Sequence, residues 1–226
     1  MLKRQFHFIS LMLIIFLESF DIQNKNQANY LPLGDSYTIC TGASEKESWP
    51  FILTKHLNDA KIKTVLLDNP ARNGFTTQNV IDQELPLLKK LKPDFVTLLI
   101  GVNDWVREVS TATFKKNLIY IIDEVQKQLP DKNKMVLITI PDFGVTPQGQ
   151  YFSGGRDISK GLSDFNNIIK DEAKKRNLIV IDIFEISKKM KNDKTLVAND
   201  GLHPSAKEYA IWEQIILPEI IKVLKP

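Results

Sequence analysis

The sequence predicts a three-layer α/β/α sandwich on a five-stranded parallel sheet. Three observations lead there. Five short apolar runs recur along the chain, each long enough for one strand. They are continuously apolar rather than alternating, as strands covered on both faces are. Between them lie segments whose apolar residues are spaced three and four apart, the period of an amphipathic helix. The 226 residues suit one such domain. With 43% hydrophobic and 25% charged residues, the chain has the composition of a folded protein.

The elements follow in order. "YLPLG" (30–34) is the first strand. Pro32 resists this assignment, because proline donates nothing to a ladder; the strand either starts there or carries a bulge. A helix is expected over 47–59, then the strand "KIKTVLLD" (61–68). A helix over about 77–91 leads to "DFVTLLIG" (94–101). The helix 111–129 carries Phe114, Leu118, Ile121, Ile122, Val125 and Leu129 on one face. "KMVLITIP" (134–141), a helix over 158–176, "NLIVIDI" (177–183) and a last helix over 205–224 complete the alternation.

The N-terminus reads differently. Lys3 and Arg4 precede an apolar run, Phe6 to Leu17, too short to span a bilayer. That is the pattern of a secretory signal peptide, with a polar linker, "DIQNKNQAN", behind it. A buried helix or an uncleaved anchor is the other reading. Residues 1–28 are therefore set apart as signal and linker, and 29–226 as the domain. The expectation is a periplasmic or secreted protein with no stable membrane span after processing. Away from cytosolic ATP and NADH, hydrolysis is favoured over cofactor chemistry, and no cofactor is expected.

Charge excludes other classes. Thirty Lys and Arg against 27 Asp and Glu give a net charge of +3. The basic residues are scattered, and no concentrated stripe marks a nucleic-acid binder. No G-x-x-x-x-G-K-[ST] or G-x-G-x-x-G motif is present. The single cysteine, Cys40, excludes an intrachain disulfide and a Cys-based zinc site, and no metal is expected. It reads as a small buried residue on the helix after Ser36.

Ligands of an open parallel sheet bind at the carboxyl ends of its strands. There stand Gly34-Asp35-Ser36, then Asn73-Gly74, then "GVND" (101–104), then a glycine-rich loop over 142–157. Before the last helix comes "NDGLHPS". A serine hydroxyl needs a base, a group orienting that base, and donors for an oxyanion. Of three histidines, His7 lies in the signal and His56 on a helix surface or boundary, which leaves His203. Asp200, three residues earlier, can reach its imidazole, or merely cap a turn. The N–H of Ser36, the N–H of Gly74 and the Asn103 amide are candidate oxyanion donors. Gly34-Asp35-Ser36 can equally be an ordinary turn.

"GDSYT", "NG", "GVND" and "DGLHPS", in this order, resemble the SGNH/GDSL hydrolase family over roughly residues 29–226. The resemblance implies a flavodoxin-like sheet and a metal-independent serine esterase or lipase acting through an acyl-enzyme. It implies that Ser36 is the nucleophile, His203 the base and Asp200 its orienter, with Ser36, Gly74 and Asn103 forming the oxyanion hole. Tyr37 departs from the family's Leu. A thioesterase, or a carbohydrate-binding module on the same scaffold, are the alternatives. The substrate is expected to be a small or polysaccharide-borne ester. Phe143, Tyr151 and Phe152, in the 142–157 loop, either bind it or pack the loop on the domain.

Overall fold

The computed structural model describes residues 27–225. The signal segment expected at the N-terminus lies outside the described residues, apart from its last two positions. Five strands form one parallel sheet in the order β2-β1-β3-β4-β5. They are β1 (Ala28–Gly34), β2 (Thr64–Leu66), β3 (Phe95–Leu99), β4 (Met135–Ile138) and β5 (Ile179–Ile181). All neighbours run parallel. The helices are α1 (Ser36–Ile39), α2 (Trp49–Asp59), α3 (Thr77–Asn79), α4 (Leu85–Leu91), α5 (Val102–Val106), α6 (Thr111–Gln128), α7 (Ile158–Arg176), α8 (Phe184–Ser187) and α9 (Ala206–Leu224). On one face α2 packs against α9; elsewhere α6 packs against both α4 and α7.

The central strands β3 and β4 are buried from end to end and β1 from Tyr30 onward, the edge strands β2 and β5 only in part. That is why 30–34 and 95–99 read as unbroken apolar runs. Tyr30 stacks on Phe95 at 4.5 Å, and its hydroxyl meets Thr97 Oγ1 at 2.7 Å. Phe114 stacks on Phe165 at 4.3 Å between α6 and α7. Trp49, Tyr209 and Trp212 fill the other side, all fully buried. Each such side chain contributes about 1.5–3 kcal/mol or more of burial energy.

Pro32 sits inside β1 without a bulge. Even-numbered residues of β1 turn their amides toward β2: Ala28 N–H donates to Lys63, and the Tyr30 carbonyl accepts from Leu67. β2 pairing ends at Tyr30 with Leu66, so at Pro32 there is no neighbour left to bond. The missing donor leaves no acceptor unmet. Ala28, assigned from sequence to the linker, opens the strand instead.

The expected helix over 77–91 is interrupted. Thr77–Asn79 is one turn, Val80–Glu84 is a π-helical turn, and α4 follows with Pro86 near its start. Proline lacks the N–H that a continuous helix needs there. The widened turn absorbs that loss and carries Glu84 inward. Pro218, by contrast, is accommodated inside α9.

In this strand order the chain leaves β1 toward one edge and β3 toward the other. The crevice at their carboxyl ends is the switch point of the sheet. Gly34 ends β1, and Gly101 follows β3 by two residues.

Candidate active site

Gly34 closes β1 with φ +155°, and a Cβ there would lie 2.2 Å from Thr38 Oγ1 and 2.3 Å from the Leu99 carbonyl oxygen. Only glycine lets the strand turn this tightly against β3. Asp35 then caps α1, its Oδ1 accepting from Tyr37 N–H at 3.0 Å. Ser36 is the first residue of that one-turn helix and is 5% exposed. Its own N–H, at the helix start, finds no acceptor among the described residues. Cys40 ends the helix in the left-handed region at φ 64° and is buried. Burial pushes its thiol well above the ordinary range. A thiol held protonated is no nucleophile, which fits the structural reading of Cys40.

Three acids surround this turn. Asp35 is fully buried, and its Oδ2 has no partner among the described residues. Burial, and to a lesser degree the charge of Asp104, pushes its pKa up to about 8. Glu84 Oε2 accepts from Gly34 N–H at 3.0 Å. Asp104, on α5, accepts from the backbone N–H and the hydroxyl of Thr77. Asn117 in turn donates to the Thr77 hydroxyl at 3.0 Å. Asp104 thus ties the loop after β3 to the start of α3.

That tie positions the neighbours on either side. Asn103 Nδ2 donates to the Phe75 carbonyl at 2.9 Å, and Arg107 donates to the Gly74 carbonyl at 2.8 Å. Gly74 has φ +79°, a conformation side-chain-bearing residues rarely adopt. Its N–H, like that of Ser36, finds no acceptor among the described residues. The Thr41 hydroxyl bonds Asn73, which links the end of α1 to the same loop. Two unpaired backbone donors and a side-chain amide therefore come from three loops joined by hydrogen bonds.

The Asp200–His203 turn supplies the remaining pair. Asp200 Oδ1 accepts from the N–H groups of Leu202 and His203, both at 2.9 Å. Its Oδ2 lies 2.6 Å from His203 Nδ1. Partial burial raises the Asp200 pKa. These N–H groups and the imidazole outweigh that, leaving it below the ordinary carboxylate value. An ionised carboxylate only accepts, so the ring proton sits on Nδ1 and Nε2 is left basic. The turn is fixed by Ala198 N–H on the His203 carbonyl and by a bridge between Val197 and Pro204. The Tyr37 ring, one residue after Ser36, stands edge-on to the imidazole at 6.1 Å. His56, as expected, is a boundary residue; it bonds the buried Glu213 at 3.0 Å.

The 142–157 loop bridges the two sides. Gln148 N–H donates to the Gly201 carbonyl at 2.9 Å, two residues before His203. Arg156 donates to the carbonyls of Trp105 and Val106 and lies 4.0 Å over the Trp105 ring. Phe143 is 2% exposed and packs edge-on to Trp105 at 6.1 Å. Of the two readings given to it, packing therefore describes Phe143, which is removed from the surface that a substrate reaches. Tyr151 is 81% exposed and Phe152 41%. Sequence reasoning did not single out Glu84, Asp104 or Arg156; only Asp104 carried a signal, as the last letter of "GVND".

Among the described residues no cluster of three or more His, Cys, Asp or Glu side chains could hold a metal. No helix among them is long and apolar enough to cross a membrane.

The fold is that of the SGNH/GDSL hydrolases. The chain belongs to the GDSL-like lipase/acylhydrolase family, whose model matches residues 33–211. It is 31% identical over 141 residues to a multidomain esterase of Ruminococcus flavefaciens, a match spanning 61% of this chain and 17% of that one. The fold is similar to that of a lipase/acylhydrolase from Enterococcus faecalis, at TM-score 0.68 and 23% identity, covering 88% of this chain and 98% of the other. It is also similar to a variant of an acetyl xylan esterase from Geobacillus stearothermophilus, at TM-score 0.69 and 18% identity, covering 85% and 94%.

Proposed function

We propose that the chain hydrolyses carboxylic esters through an acyl-enzyme on Ser36. The observation that carries this is the Asp200–His203 pair, whose carboxylate holds the ring proton on Nδ1 and leaves Nε2 free to act as base. In this reading His203 takes the Ser36 proton as Oγ attacks the carbonyl. The oxyanion is received by the N–H groups of Ser36 and Gly74 and by the Asn103 amide. The ester bond breaks as His203 returns the proton to the leaving alcohol. A water deprotonated by His203 then releases the acid and restores Ser36.

Family membership and the acetyl xylan esterase likeness favour an acyl or acetyl ester, free or borne on a polysaccharide. The exposed Tyr151 and Phe152 suit an apolar or sugar group at the rim. The basic start and short apolar run of the N-terminus favour export by a cleaved signal. A thioesterase uses the same groups and is the second reading.

The experiment is hydrolysis of p-nitrophenyl esters from acetate to long acyl chains, with Ser36→Ala and with EDTA. EDTA-resistant turnover lost in Ser36→Ala is the expected result. Turnover that survives the substitution would reduce Gly34-Asp35-Ser36 to a turn. A parallel series of acyl thioesters separates the two readings.

A further inference from the structure

The nucleophile turn is held from behind by a carboxyl that the proposed reaction does not use. Glu84 stands 50 residues along the chain from Gly34, yet its Oε2 accepts from Gly34 N–H at 3.0 Å. It is fully buried, and its Oε1 has no partner among the described residues. A helical glutamate ordinarily turns to water. Here Glu84 ends the π-helical turn ahead of Pro86 and lies buried. Widened turns of this kind gather at functional sites. α1 is only four residues long, too short to hold its own direction. Whatever fixes Gly34 therefore fixes the direction in which Ser36 is presented.

We infer that Glu84 is a positioning residue for Ser36, acting through the Gly34 peptide. This rests on the reading of Ser36 as nucleophile. The surroundings define the state of the carboxyl. Its one donor is Gly34 N–H. The titratable group facing it is Asp35, itself buried with an orphaned oxygen, and behind that Asp104, paired with Thr77 and with Arg107 nearby. No cation is among the groups acting on Glu84 or Asp35. A buried carboxylate with a single donor is costly, so the neutral acid is favoured. Burial first, then the charge of Asp35, raises the Glu84 pKa well above the ordinary value. A neutral Glu84 still accepts from Gly34, and it puts no negative charge behind the oxyanion site. Its ionisation would oppose the transition state and repel Asp35.

Two measurements test this. The first needs no substrate: the amide shift of Gly34 is followed by NMR across the whole pH range in which the protein stays folded, in wild type and Glu84→Gln. Asp35, next in the chain and with its pKa pushed up to about 8, moves the Gly34 amide in both proteins; a further titration step present in wild type and absent in Glu84→Gln is expected. The second is kinetic, on protein shown folded by circular dichroism. Glu84→Ala should lower kcat about ten- to a hundredfold with KM nearly unchanged, the size of a sub-ångström to ångström misplacement. Glu84→Gln, which keeps the acceptor for Gly34 N–H without a titratable proton, should restore most of kcat at neutral pH. A Gly34 amide indifferent to Glu84, a Glu84→Ala kcat within about twofold of wild type, or a Glu84→Gln kcat as low as that of Glu84→Ala would each overturn the inference. Wild type that turns over no ester, while Gly34 still titrates with Glu84, would sink the reading of Ser36 and not the hold on the turn.

Discussion

Asp35 and Asp200 are the same residue in opposite states, and they flank the two halves of one site. Asp35 is sealed under Ser36, accepts one backbone N–H and has its pKa raised to about 8. Asp200 has a side chain 42% exposed, accepts from two N–H groups and an imidazole, and stays below the ordinary value. The difference is one of donors and water rather than residue type. The half around Ser36 is built by burial, which favours acids that stay neutral. The half around His203 is built by local hydrogen bonding at the surface, which favours an acid that stays charged.

The largest expected effects break the base and nucleophile halves directly. Ser36→Ala should lower kcat by about 10⁴-fold or more, read by ester hydrolysis on a protein with unchanged circular dichroism. Asp200→Asn should cost about 10³- to 10⁴-fold, because an asparagine amide can turn its N–H to Nδ1 and select the wrong tautomer. Asn103→Ala removes a single donor and should cost about 10²- to 10³-fold in kcat. Normal turnover by folded Asn103→Ala would remove that residue from the oxyanion site.

A smaller effect sharpens the contrast between the two acids. The Asp35 pKa is raised on folding, so the fold favours its neutral form. That stabilisation is fully present below the unfolded value near 3.8 and is lost as pH rises toward about 8. Thermal scans across this range should show Asp35→Asn with a flatter dependence of Tm on pH than wild type. An equal slope in both proteins would mean that Asp35 is ionised in the fold. The smallest effect belongs to the rim: Tyr151→Ala should move stability by no more than about 0.5 kcal/mol. Phe143→Ala in the same loop should cost about 3–5 kcal/mol by thermal or denaturant unfolding.

The sheet was legible because its central strands are covered on both faces, which forces continuous apolar sequence. The loops of the site were legible because glycine, a capping acid and a short D-x-x-H turn are local signals. Long-range partners left no such trace. Glu84 looks like any glutamate on an exposed helix face until Pro86 and the π-helical turn redirect it. Arg156 looks like a loop cation, although it grips two carbonyls and an indole. Phe143 and Tyr151 read alike in sequence, yet one is core and the other rim. Pro32 argued against a strand only because the end of its neighbour, β2, could not be seen.

The last helix does more than follow the base. Tyr209 of α9 donates its hydroxyl to the Thr41 carbonyl at 2.9 Å, just past the helix that bears Ser36. The serine precedes the histidine by well over half the chain. A nascent polypeptide that has emerged only through β5 therefore carries its serine with neither base nor clasp. If Ser36 is the nucleophile and His203 its base, reactivity arrives at one moment, when the final helix docks.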